Sequence, residues 1–439
     1  MSQSNLLQFF RKSIFAGLGA WLLIGPTVLA HAAAEPVPRA LEWSDHQLTL
    51  SIVEWAERAK TLTQKSLAGG ATPSVATTRA LSWTTLAMFE ALNAVDHRYR
   101  SYAGVTLADG EASGGAAILT AAHEVLVSLY PDQRSDLDRI YGRELDAIAD
   151  GAAKAKGVAI GASAAKASLR LGGRNPQVPI ESYRPYTLAG TWVPTTLPVI
   201  EPFQLALSPW FLSSREQLRP SGPPDLTSAR YAEDLNEVAA LGAKDSQMRT
   251  PAQTNEALFW NRIDLMPVLR QIASIGSRSA VQNAHMYAVL SMSLDDADLA
   301  AEDAKMHFSR WRPITAIRNA DRDGNPATNR QADWLPLLTT PIHPEYPCWH
   351  CITAATVATA LEAELGADRD MPLVFFSESV PNDVRIESLR AYSHDVSRSR
   401  VYAGVHFTFS CKDGEEMGRR VGALSTKAIP LLTDKRGSL

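Results

Sequence analysis

The chain has 439 residues, 45% hydrophobic and 21% charged, a balance that excludes a disordered tail or a bundle of membrane spans and allows a large buried core. Its 43 Lys and Arg against 47 Asp and Glu leave a net charge of -4, so no diffuse positive field is available to hold nucleic acid by counterion release. Any anion site must be local.

Arg11 and Lys12 precede an apolar run from Ser13 to Ala30 that exits through the small residues Ala32, Ala33 and Ala34. This is the pattern of an export signal, cleaved after Ala32 or Ala34, and it predicts a periplasmic or secreted product. No later stretch is long and apolar enough to span a bilayer, so the mature chain is expected to hold no stable membrane span. Export leaves the three cysteines, Cys348, Cys351 and Cys411, in an oxidising compartment, where one disulfide plus one buried thiol is the plain expectation. Cys348-x-x-Cys351 has no second C-x-x-C to complete a zinc or redox signature.

Beyond residue 34, apolar positions recur at helical spacing without sustained strand-like alternation, which predicts an all-α protein. Helices are expected over Ser74–Val95, Ser113–Leu129, Arg143–Leu171, Ser228–Leu241, Thr254–Trp260, Arg270–Ala304 and Ile352–Leu365, with a last one from about Gly414 to Leu431. Pro176–Pro224 carries 10 of the 26 prolines with Trp192 and Trp210, and reads as an irregular crossover laid against the helices. The chain thus divides into a signal (1–34), an N-terminal helical part with the crossover (35–225), and a C-terminal helical part (226–439).

Three segments of that last part concentrate oxyanion-binding groups. Lys305 and Arg312, followed by Pro313, are seven apart, which on a continuous helix is two turns along one face. His343-Pro-Glu-Tyr-Pro347-Cys348-Trp349-His350 runs into a helix N-terminus, whose free N–H groups attract anions. Ser399-Arg400 is followed by Gly404, where a turn can swing His406 back toward Arg400. A plainer reading pairs Lys305 and Arg312 with Asp295, Asp298 or Glu302 on a solvated helix face. The acidic run Asp295, Asp296, Asp298, Glu302 and Asp303 is equally a solvated face or a magnesium holder.

In this order and spacing the three segments resemble the signature of the vanadium-dependent haloperoxidase and type 2 phosphatidic acid phosphatase superfamily, K-x6-R-P, P-S-G-H and S-R-x5-H. The first and third blocks are complete, and the second is changed. The segments Met88–Val95, Trp311–Asp321, His343–Pro347 and Gly404–Phe407 resemble the bacterial haloperoxidase branch.

That resemblance implies a helical bundle, often two four-helix bundles. It implies that Lys305, Arg312, Arg400 and the Trp349 backbone N–H donate to an oxyanion, that His406 bonds its central atom, and that His350 moves protons. In a haloperoxidase His406 ligates vanadate, the cofactor, and hydrogen peroxide and halide are the substrates. In a phosphatase, which needs no cofactor, His406 attacks a phosphate ester to form a phosphohistidine. A non-catalytic descendant is the third reading, and a homodimer is left open. By the same analogy Asp395 or Asp296 pairs with Arg400. Cys348 stands where the pattern has Ser, a weaker donor to the oxyanion, and Trp349 where it has Gly, so the indole must turn away from the anion. Cys351 and Cys411 follow the second and third blocks, which suggests a disulfide between them with Cys348 free.

Overall fold

The computed structural model describes residues 43–68, 73–173, 183–184, 186–195, 206–366 and 372–432. The export segment 1–34 and part of the Pro-rich crossover lie outside the described residues. Thirteen α-helices are described: α1 (Asp45–Ala68), α2 (Pro73–Asp96), α3 (Gly114–Leu129), α4 (Arg134–Asp146), α5 (Ala152–Leu169), α6 (Ala229–Leu241), α7 (Pro251–Phe259), α8 (Met266–Ala273), α9 (Ala280–Phe308), α10 (Pro313–Arg318), α11 (Trp349–Leu365), α12 (Leu389–Tyr402) and α13 (Thr408–Ser425).

The all-α expectation holds, with one small addition. Strands β1 (Ile263–Asp264), β2 (Leu373–Ser377) and β3 (Asp383–Ile386) form an antiparallel sheet in that order, with Ile263 opposite Ser377 and Leu373 opposite Ile386. Strands this short carry too few residues for alternation to register.

Side-chain caps decide where helices begin. Ser113, Ser228 and Ser279 accept amides of the first turns of α3, α6 and α9, and Ser279 completes a reciprocal capping box with Gln282. That box divides the predicted Arg270–Ala304 helix into α8 and α9. The predicted Arg143–Leu171 helix is likewise divided between α4 and α5, with Gly151 as the N-cap of α5. The last helix begins earlier than expected, after Phe407, and ends at Ser425, before Pro430.

Helix α9 is the axis of the packing: it touches α1, α2, α11 and α13 and is buried along most of its length. A solvated acidic face on it is therefore ruled out. Asp295 and Asp296 are buried and bond the Trp210 indole and the backbone N–H groups of Trp210, Phe211 and Leu212. Asp295 also pairs with Arg79 at 2.6 Å. These carboxylates anchor the described end of the crossover, whose Trp192 and Trp210 are buried. Without such partners, carboxylates this deep would be too costly to keep.

Helices α11 and α13 approach closely because α13 presents Gly414, Gly418 and Gly422 to its neighbour. A Cβ at Gly414 would lie 2.7 Å from the Cys348 carbonyl oxygen, and one at Gly418 would press into that of Ile352. The pairing brings the segments around residues 348 and 411 together over a floor of Tyr231, Trp311, Tyr346, Phe407 and Phe409.

Candidate active site

The Lys305–Arg312 segment does not run as one helix. Helix α9 stops at Phe308, Ser309 takes a left-handed conformation (φ 43°, ψ 43°), and Arg312 is the N-cap of α10, with Pro313 in its first turn. Both side chains still reach one region, by a turn and not by a shared face. Lys305 Nζ donates to the carbonyls of Pro344 (3.0 Å), Glu345 (3.0 Å) and Pro347 (2.6 Å). The ammonium thus clamps the proline-rich loop of the second block. Arg312 donates to the His343 and Val405 carbonyls and to His343 Nδ1, and its Nη1 lies 3.1 Å from His406 Nε2.

Gly404, at φ +77°, makes the turn that delivers His406; a Cβ there would strike the Gly242 carbonyl at the end of α6. Arginine has no acceptor, so His406 Nε2 must accept from Arg312, and the proton sits on Nδ1. That Nδ1–H donates to Glu345 Oε1 at 2.7 Å, and the same oxygen takes the Phe407 N–H at 3.1 Å. Glu345 is fully buried.

His350, in the first turn of α11, has Nε2 3.3 Å from the Asn261 carbonyl, and Arg400 Nη1 reaches the Asn261 side chain at 3.5 Å. Arg400 pairs with neither predicted acid: Asp296 is taken by the 210–212 backbone, and Asp395 is partly exposed beside His394. What faces Arg400 is the group of Cys348, Cys351 and Cys411. Its Nε is buried with no hydrogen-bond partner among the described residues.

The Trp349 indole is turned away from the guanidiniums. Its Nε1 donates to Asp298 at 2.7 Å, and its ring meets His343 edge-on at 5.3 Å. It thereby walls a cavity of about 370 Å³ whose apolar side includes Trp260, Leu265, Met306 and Tyr392, and whose polar side is Glu302, Lys305, His343 and His350.

The predicted Cys351–Cys411 disulfide is not present. All three cysteines are free and buried, and their Sγ atoms lie within 4.8 Å of one another, a three-way cluster and not a pair. Cys348 caps α11, its Sγ accepting the Cys351 N–H at 3.4 Å. Burial raises a thiol, but hydrogen bonds from the Cys351 and Cys411 thiols hold Cys348 well below its ordinary value. Burial and then the neighbouring Cys348 push Cys351 and Cys411 up.

The electrostatics fit an oxyanion. Burial, then repulsion from Arg312, brings Lys305 down to about 7. Burial brings Arg312 to about 10, and burial followed by the charge of Arg400 brings His350 to about 3. Lys305, Arg312 and Arg400 are three basic side chains gathered in one buried region. Buried cations without full compensation are costly, and an anion delivered to them is correspondingly well held. The unpartnered Arg400 Nε is a donor ready for one of its oxygens.

Lys305, Arg312, Cys348, Trp349, His350, Arg400 and His406 lie in this one region, whereas Asp296 and Asp395 do not join it. Glu345, His343 and Asn261 were not assigned roles from the sequence. Glu345 and His343 stand inside the His343–Pro347 segment and were within reach of that reading; Asn261 follows α7 in a turn that carries no motif.

Residues 285–434 match a family model described as the VCPO second helical-bundle domain. Among curated proteins, vanadium chloroperoxidase of Curvularia inaequalis is 28% identical, over 31% of this chain and 28% of that protein, so the match spans under a third of the relative's length. Among solved structures, a bacterial vanadium-dependent iodoperoxidase superposes with a TM-score of 0.70 at 20% identity, covering 92% of this chain and 100% of that one. A holo-type bacterial vanadium-dependent chloroperoxidase superposes at 0.60 with 16% identity, over 90% of this chain and 94% of that one.

Proposed function

We propose that this chain, which has the vanadium haloperoxidase fold and matches that family's second helical-bundle domain over residues 285–434, is a haloperoxidase-like enzyme that oxidises halide with hydrogen peroxide. Lys305, Arg312, Arg400 and His406 would hold the vanadate. Bound vanadate supplies the Lewis-acid centre at which peroxide becomes reactive toward halide.

The observation that carries this reading is the contact between Arg312 Nη1 and His406 Nε2 at 3.1 Å, which joins the first and third blocks at the atom that would ligate the metal. Glu345 keeps the Nε2 lone pair available by holding the proton on Nδ1. Arg312 and Arg400 supply fixed positive charge to the oxyanion's outer oxygens. His350, lowered to about 3 without a bound anion, lines the cavity, and the negative charge of a bound oxyanion would raise its basicity toward that needed to take a proton from an entering peroxide.

The test is bromination or iodination by the purified full chain with orthovanadate and peroxide, run beside hydrolysis of a generic phosphomonoester. Halogenation that requires vanadate, and disappears in His406→Ala, is the expected result. Phosphate release blocked by vanadate would instead make this a phosphatase, and substantial halogenation by His406→Ala would remove the assigned ligand.

A further inference from the structure

We propose that Cys348, Cys351 and Cys411 bind a thiophilic metal ion beside the proposed oxyanion cradle, through ligands other than Lys305, Arg312, Arg400 and His406. Three buried, unbridged thiols with Sγ atoms within 4.8 Å of one another are already close to the separation that one ion imposes. Zinc–thiolate bonds of about 2.3 Å place pairs of sulfurs roughly 4 Å apart, so an inward shift of under about 1 Å closes the site.

Local geometry prepares the chelate. Cys348 and Cys351 are three residues apart across the first turn of α11, and the Cys351 N–H points at Cys348 Sγ at 3.4 Å, where it stabilises a thiolate. Cys411 is brought in from α13 by the Gly414 approach, where a Cβ would lie 3.1 Å from Cys351 Cβ. The backbone is pinned at the same place by the Cys348 N–H to Ser410 carbonyl bond at 3.1 Å.

Charge also matches. Three thiolates with a divalent ion carry a net charge of -1, and with a monovalent ion -2; either answers the Arg400 guanidinium, which faces these sulfurs. Binding releases the protons the three thiols hold and changes no oxidation state. Soft thiolate ligands select zinc or copper(I) over hard cations, and three sulfurs with no fourth ligand at that distance among the described residues suit a trigonal ion or one completed by water. The ion would tie the loop two residues before His350 to the helix five residues after His406, fixing the distance between the two imidazoles.

The test uses the full chain, reduced and stripped of metal under anaerobic conditions. In one arm cobalt(II) is added as a coloured substitute for zinc and then displaced by zinc; in the other copper(I) is offered against a chromogenic chelator. The expected result is one equivalent of at least one ion. For cobalt it comes with a thiolate-to-metal charge-transfer band that zinc abolishes, and the three thiols become unreactive until the ion is removed. His406→Ala should keep this binding while losing the proposed vanadate binding, so the two ideas fail separately. Cys411→Ala should weaken metal binding at least a hundredfold, with circular dichroism confirming that it stays folded. Binding of neither ion by the folded wild-type chain, or undiminished binding by folded Cys411→Ala, overturns the proposal.

Discussion

Glu345 Oε1 lies 2.7 Å from His406 Nδ1, with both side chains essentially removed from solvent. The pair sets the imidazole's tautomer and leaves Nε2 facing Arg312. Glu345→Gln keeps an acceptor for the Nδ1–H but removes the charge that makes the ring basic. Vanadate affinity is expected to fall by about 10- to 100-fold, read by titration calorimetry, with little change in thermal midpoint. An unchanged affinity would show that the pair is structural only.

Lys305 makes oxyanion binding depend on pH. Its folded-state value of about 7 leaves much of it neutral above pH 7, whereas a bound anion favours the ammonium. Binding is therefore coupled to proton uptake above pH 7, and affinity should fall by up to about tenfold per pH unit as pH rises. Sulfate, which does not itself titrate in this range, is the suitable probe. Calorimetry in two buffers of different ionisation enthalpy should give different heats at pH 8, and Lys305→Met should flatten the dependence.

Asp298 gives stability the opposite slope to an ordinary carboxylate. Burial raises it from 3.8 to about 7, only partly countered by the hydrogen bonds from Trp349 and Thr78. Between those values the folded chain holds more proton than the unfolded one, so this contribution is full below pH 3.8 and is lost as pH rises to 7. Asp298→Asn should therefore gain stability relative to the wild type across pH 4 to 7, by at most about 1.4 kcal/mol per unit. Denaturant melts at several pH values check the slope, and parallel curves would contradict it.

Gly418 tests whether the α11–α13 approach positions the site. An added methyl meets the Ile352 carbonyl and the Ala355 side chain, neither of which can swing away. Gly418→Ala is expected to cost about 1 to 3 kcal/mol and to lower turnover by separating His350 from His406. A variant of unchanged stability and activity would mean the helices pack less tightly than described.

Sequence alone determined the helical class and most helix positions, and it marked Lys305, Arg312, His350, Arg400 and His406 as candidates that the fold gathers into one region. Periodicity and spacing are local properties, and Lys305, Arg312, His350, Arg400 and His406 are each marked by the residues beside them. Tertiary structure decided the rest. The Lys305–Arg312 spacing suggested one helix face, but the left-handed Ser309 breaks that helix and contacts from distant loops complete the geometry. Lys305 was legible as a cation but not as the clamp of the Pro344–Pro347 backbone, because its acceptors lie about forty residues away. The three cysteines were visible, yet their gathering into one unbridged cluster depends on how closely two helices pack. Burial likewise turned Asp295, Asp296 and Asp298 from an apparent surface run into anchors, since a charge's role follows from what surrounds it, and surroundings are set only once the chain has folded.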